Sequence, residues 1–277
     1  MSDPQPSAGR ASAPKQRRDA AAYLPWITTP ALCLVLIAVW WVYVDVSRIS
    51  AFVLPKPAAV WDAWLALIMS KRAWFDTLMT VYATVVGFLW ALLVGVGLGA
   101  VIARVRWLEQ TLNPFIVASQ VLPKVALVPL FVVWFGFGIT SKVLIAATLA
   151  FFPILTNTVL GVQSIEHGHR DVMISLNATR WQIFRRLELP SALPYIITGM
   201  EVGVVLAIIG AIVGEYVGGN EGLGHELVAR MNAFETDGLF AVMIQMALLG
   251  FFFYFLISLL RRVCIPWHPS TQGRRAG

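Results

Sequence analysis

Charge is scarce in this chain. Only 13% of its 277 residues are Asp, Glu, Lys or Arg, about half the share of an ordinary soluble domain. Hydrophobic residues make up 58%, and a soluble core cannot absorb that excess without a large exposed apolar patch. A water-soluble globular domain is excluded, and the medium is lipid. Cysteine is nearly absent: Cys33 and Cys264 form no CxxC pair and read as small packing residues rather than a disulfide framework. Of four histidines, His167 and His169 flank Gly168 while His225 and His268 stand alone. None has HExxH-type spacing, so no metal site is expected. Glu221, Glu226, Glu235 and Asp237 share one acidic, Gly-rich loop but lack the alternating oxygen spacing of a calcium loop. Walker A (GxxxxGK[ST]) and GxSxG patterns are also missing, so no catalytic residue is assigned. Any uphill work would draw its energy from another chain or an ion gradient.

What is present is long apolar runs. A bilayer core about 30 Å thick takes about 20 apolar helical residues to cross. Ala20–Val44, Thr77–Ala103, Val143–Ile165 and Gly238–Leu260 are charge-free runs of that order. Leu112–Phe135 is interrupted by Lys124, and Pro194–Val217 by Glu201; Glu215 lies at the far end of the second of these. An all-α membrane protein of six transmembrane helices is expected, because lipid-exposed strands or loops would leave backbone groups unpaired. Between the first two runs, Ala58–Met69 reads as an amphipathic helix with Trp61, Trp64, Leu65 and Ile68 on one side, suited to the membrane interface. Gly95, Gly97 and Gly99 fall within five residues of the second run, where small residues let helices approach closely.

The net charge of +6 does not indicate nucleic acid. With the N-terminus placed inside, Arg48, Lys56, Lys71, Arg72, Lys142 and Arg230 fall outside and Lys124 in a span, leaving most of the 21 basic residues inside. This is the positive-inside bias, and it puts both termini in the cytoplasm. Residues 1–22, rich in Pro, Ser and Ala, read as a disordered cytoplasmic tail with no signal-peptide cleavage site after them. The membrane domain is expected over 23–265, with a cytoplasmic tail at 266–277.

One inner segment, Glu166–Ile196, is polar: "EHGHRDVMISLNATRWQIFRRLELPSALPYI". Two short helical runs, "RDVMISL" and "TRWQIFRRLEL", flank "LNAT", where Asn177 suits a left-handed turn. Trp181, Phe184 and Arg185 fall together at helical spacing, and an amphipathic helix with exposed aromatic anchors suits a groove in a partner. Pro190 and Pro194 are expected to end the insert and start the fifth span.

This segment resembles the EAA loop of bacterial ABC-importer permeases, EAA-x3-G-x9-I-x-LP. Asp171, Val172 and Met173 stand at the EAA positions, Asn177 at the Gly, Leu187 at the Ile, then Leu189 and Pro190. Spacing is intact, with Asp for Glu, Val-Met for Ala-Ala and Asn for Gly. Leu122–Val162, "LPKVALVPLFVVWFGFGITSKVLIAATLAFFPILTNTVLGV", and Gly214–Leu227, "GEYVGGNEGLGHEL", are similar to segments of the subfamily serving nitrate, taurine, alkanesulfonates and thiamin-pyrimidine precursors.

The resemblance implies a type I ABC-importer transmembrane fold in the bacterial inner membrane, paired as a homodimer. A periplasmic or lipid-anchored solute-binding protein would deliver a small anionic or heterocyclic solute. A cytoplasmic ATPase subunit, holding the ATP and Mg that this chain does not bind, would dock on residues 166–193. Its contacts would be Asp171, Val172, Met173, Asn177, Ala178, Thr179, Trp181, Phe184, Leu187 and Pro190. The alternative is a gradient-driven secondary transporter, which would usually show related halves; no such repeat is visible. A membrane-embedded enzyme would need a convergent catalytic cluster.

Ionisable groups in spans are functional candidates by default. Lys124, with Pro123 and Pro129 loosening its helix, counts to near mid-membrane. It either lines the pathway and attracts solute or forms a structural ion pair with Glu201. Glu215, at the outer end of the fifth span, either shapes an outer gate or holds the following loop.

Overall fold

The computed structural model describes residues 19–266. The expected tails lie outside these residues, except at 19–22, where the first helix has already begun, and at 266. The described chain is helical throughout. α1 (Asp19–Ser47) is followed by α2 (Pro57–Met69), α3 (Lys71–Arg104), α4 (Arg106–Val121) and α5 (Val128–Phe135). Then come α6 (Ile139–Gln163), α7 (His167–Ser175), α8 (Arg180–Ile183), α9 (Leu189–Gly218), α10 (Leu223–Asn232) and α11 (Thr236–Cys264).

The core is a stack of α3, α6 and α9. Helices in lipid gain little from hiding apolar surface from each other, so close approach of small residues does the work. A Cβ on Gly87 would lie 2.6 Å from the Ala146 Cβ, and one on Gly210 2.8 Å from the Ala146 Cα, so Ala146 of α6 is gripped from both sides. Gly95 and Gly99 of α3 likewise face Ile154 and Thr158, whereas Gly97 faces open space. The glycine cluster was expected to serve close approach, and two of its three members do.

Among the described residues, five helices are long and apolar enough to cross a membrane, and α4 with the segment to Phe135 makes a sixth only as a pair bent by 88°. This corrects the straight third span expected over Leu112–Phe135. Pro123 is the reason: it disfavours helical backbone at Leu122 and offers no N–H, and Leu122 is extended at φ −64°, ψ 129°. A 3-10 turn, Lys124–Leu127, leads to α5, with Pro129 in its first turn. A depth for Lys124 counted along a straight helix therefore does not hold.

A second correction concerns the fifth span. Rather than starting afresh at Pro190 and Pro194, the helix runs on from the insert, Arg180 to Gly218, through a π turn at Phe184–Glu188. The Leu189 N–H donates to the Phe184 carbonyl, five residues back. Pro190 would crowd the Arg186 carbonyl in an α turn, and the wider π turn relieves that.

α2 forms where the amphipathic helix was expected, but Val60 and Leu67 are its buried residues and Trp61 is exposed. It leans on α11 through Trp64, whose Nε1 donates to Gln245 Oε1 at 3.2 Å.

Candidate coupling insert and pathway residues

The insert is built by two local devices. After α7, Asn177 takes φ 54°, the left-handed conformation its side chain tolerates. The N–H groups of Asn177 and Ala178 then donate to the carbonyls of Ile174 and Met173, closing the helix end. Two residues on, Thr179 caps α8: its Oγ1 accepts from the Gln182 N–H at 3.3 Å, and Gln182 Oε1 accepts from the Thr179 N–H at 2.8 Å. This reciprocal box satisfies donors that a helix start leaves orphaned.

The turn so fixed presents apolar side chains outward. Val172 and Trp181 are well exposed, as are Ile174 and Leu176; Trp181 and Phe184 rings lie 5.5 Å apart. Asp171, Asn177 and Thr179 are also exposed, while Met173, Ala178, Phe184, Leu187 and Pro190 are half-buried. The residues matched to the EAA pattern thus sit around one helix–turn–helix.

Behind this knob lies a joint that sequence reasoning missed. Glu188, in the π turn, is buried. Its Oε2 pairs with Arg104 at the end of α3, and its Oε1 with Arg170 on α7. The Arg104 guanidinium also sits over the Phe184 ring, 5.2 Å from its centroid. Glu188 occupies a variable position of the motif and Arg104 lies 84 residues away, so spacing carried no signal.

The ionisable groups of the spans are dispersed. Lys124 is half-buried at the bend, its Nζ 4.9 Å from the Phe152 ring centroid, and Pro123 and Pro129 beside it are exposed. Glu201 is not its partner: the carboxylate pairs with Arg261 of α11 at 3.2 Å, and Arg261 also donates to Thr198 Oγ1 at 2.8 Å. α11, not the bent third span, lies beside that face of α9, which corrects the pairing considered between Lys124 and Glu201.

Glu215 is 1% exposed and ties down the loop after α9. It accepts from the Thr80 hydroxyl at 2.8 Å and from the Gly224 N–H at 2.9 Å. Thr80 accepts in turn from the Leu223 N–H, and Asp76 from the Gly222 N–H at 2.8 Å. Gly222 has φ 106°, and a Cβ there would fall 2.2 Å from the Glu215 carboxyl carbon; only glycine fits. Lys142 Nζ donates to the Glu221 carbonyl at 2.7 Å. In the acidic loop beyond, Arg230 pairs with Glu226 and Glu235.

Residues 91–267 match the family of binding-protein-dependent transport system inner membrane components. The chain belongs to that family. Among its relatives are the riboflavin transport system permease protein of Chloroflexus aurantiacus, 39% identical over 89% of this chain and 92% of the relative, and the formylaminopyrimidine transport permease protein of Halalkalibacterium halodurans, 34% identical over 87% and 96%. The taurine transport system permease protein of Escherichia coli is 28% identical over 86% and 88%. In fold, the permease resembles a subunit of the inward-facing MetNI methionine ABC transporter, with a TM-score of 0.60, 18% identity, and coverage of 70% of this chain and 99% of that one. The architecture is that of a type I ABC-importer transmembrane subunit, and the permease is a multi-pass inner-membrane protein. These matches do not favour the gradient-driven alternative.

Proposed function

We propose that this permease forms the solute pathway of a binding-protein-dependent ABC importer and is moved by a separate cytoplasmic ATPase seated on residues 166–193. The observation that carries the reading is the ordered knob of α7 and α8, whose apolar side chains Val172 and Trp181 stand exposed on a turn held by the Thr179 capping box. An exposed apolar helix on a chain that otherwise hides in lipid is a docking element. Asp171, Val172, Met173, Asn177, Ala178, Thr179, Trp181, Phe184, Leu187 and Pro190 are its contact set. ATP and Mg belong to the partner, and closure of a pair of ATPases draws the inserts of two permease copies together. In this arrangement both termini are cytoplasmic, a periplasmic or lipid-anchored binding protein meets the outer face, and the bilayer covers α1.

The solute is small and heterocyclic or anionic; the names of the riboflavin and formylaminopyrimidine permeases among its relatives favour a heterocycle. Lys124, beside the Phe152 ring, is the cation that such a solute would meet at the bend between Pro123 and Pro129. Glu201 and Glu215 hold helices together rather than touching solute. The test is co-purification. An ATPase subunit encoded beside the permease should be retained by the full chain and lost on deletion of 171–186, with the deleted chain still inserted; retention after deletion refutes the reading.

A further inference from the structure

Two buried glutamates bracket α9, Glu188 just before its start and Glu215 near its end, and each reaches across to α3. At the insert end, Glu188 in the π turn leading into α9 pairs with Arg104, the last residue of α3, and with Arg170 of α7. At the far end, Glu215 accepts from Thr80 of α3. Thr80 and Arg104 are separated by 24 residues, about 36 Å of helix. α6 packs between and against both helices through glycines on each. Two rods pinned at both ends cannot slide past one another without breaking a pin.

We infer that the Glu188–Arg104 contact is a pin that makes α3 move with α9 when the insert is displaced, and that Glu188 is a positioning residue for transport. The inference rests on the insert being the element that the ATPase moves. Three features support it. Glu188 spends each carboxylate oxygen on a different element, so α3, α7 and α9 meet at one side chain. The carboxylate is buried, so water does not readily replace the arginines that satisfy it. The contact also falls in a π turn, a geometry found frequently at functional sites.

The test uses the full complex of permease, ATPase and binding protein in liposomes, with Cys33 and Cys264 replaced by Ala. A bimane fluorophore is placed at Leu98→Cys, in the half of α3 that ends at Arg104 and away from the Glu215–Thr80 tie, or at Tyr216→Cys, near the end of α9; both positions are exposed. Emission is compared with and without ATP, Mg and vanadate. With the pin intact, nucleotide trapping shifts emission at both positions. In Glu188→Gln and in Arg104→Gln, the shift at position 98 falls by about tenfold while that at 216 persists. The double variant is no worse than either single, and Arg104→Lys retains the response. A shift at position 98 that survives Glu188→Gln, or that falls equally at both positions, overturns the pin, as do losses that add in the double variant. If Glu188→Gln does not insert, Arg104→Gln on the other helix carries the same comparison. Absence of any shift at either position without the pin substitutions refutes the ATPase reading itself, and is thereby told apart from failure of the pin.

Discussion

α9 and α1 are both long apolar helices, yet they live in different surroundings. Fifteen residues of α9 are buried, many of them glycine or alanine facing α6 and α3. In α1, Val44 alone is buried among residues 27–47, and Leu34, Leu36 and Val46 stand exposed. α4 buries nothing at all. Hydropathy cannot tell these helices apart, because lipid and a neighbouring helix are equally apolar. Small residues can: a helix with glycines in van der Waals contact belongs to the packed centre, and a helix of Leu, Val and Trp without them belongs to lipid or to another chain. The centre is a close-packed stack, and outside it the third span breaks at Pro123, with α4 and the segment to Phe135 bent by 88°.

The sharpest way to break this contrast is to thicken the centre. Gly210→Leu would drive a side chain into the Ala146 backbone, 2.8 Å from where its Cβ would start. Overpacking of this kind is expected to destabilise by about 3 kcal/mol, read as loss of monodisperse protein and a lower melting temperature in detergent. Next is Glu215→Ala, which strands the Gly224 N–H and leaves the Thr80 hydroxyl only the Asp76 carbonyl as acceptor. A loss of about 2 kcal/mol is expected, with faster proteolysis in the loop after Gly218; unchanged proteolysis contradicts the tie-down role.

In the loosely packed part, Lys124→Gln removes the cation over Phe152. Uptake of the solute carried by the binding protein should fall about fivefold, the size of one partly desolvated cation–π contact between Lys124 and a heterocyclic solute, with complex yield unchanged. Normal uptake ends the pathway reading of Lys124. The smallest effect separates two neighbours in α3. Gly97→Ala meets nothing within 4 Å and should change stability by less than about 0.5 kcal/mol. Gly99→Ala places its Cβ 2.8 Å from the Thr158 Cβ and should lower the melting temperature measurably. Equal behaviour of the two would show that α3 does not pack against α6 on this face.

Much of the fold is legible in the sequence, and particular residues show where legibility stops. Runs such as Gly238–Leu260 announce spans because the bilayer imposes one length and one polarity. Asn177 announces a turn because few residues accept positive φ. Pro123 and Pro129 mark a weak point in the third span, but the size of the bend depends on what the far side packs against. Glu201 needs a cation, and the sequence offers both Lys124 and Arg261; only the placement of α11 against α9 decides between them. Glu188 is the clearest miss. Its partners Arg104 and Arg170 lie 84 and 18 residues away, and no periodicity connects them. Helix existence follows from local chemistry, whereas a polar contact between helices depends on topology.

Transport turns on the knob of α7 and α8 being gripped by an ATPase. The most direct measurement replaces Trp181 with the photo-crosslinking residue p-benzoylphenylalanine and irradiates the assembled complex in membranes. A single covalent adduct with the ATPase subunit is the predicted result. An adduct with the binding protein instead, or labelling of position 181 by a membrane-impermeant reagent applied to the outer face, would place the knob on the wrong side and contradict the account.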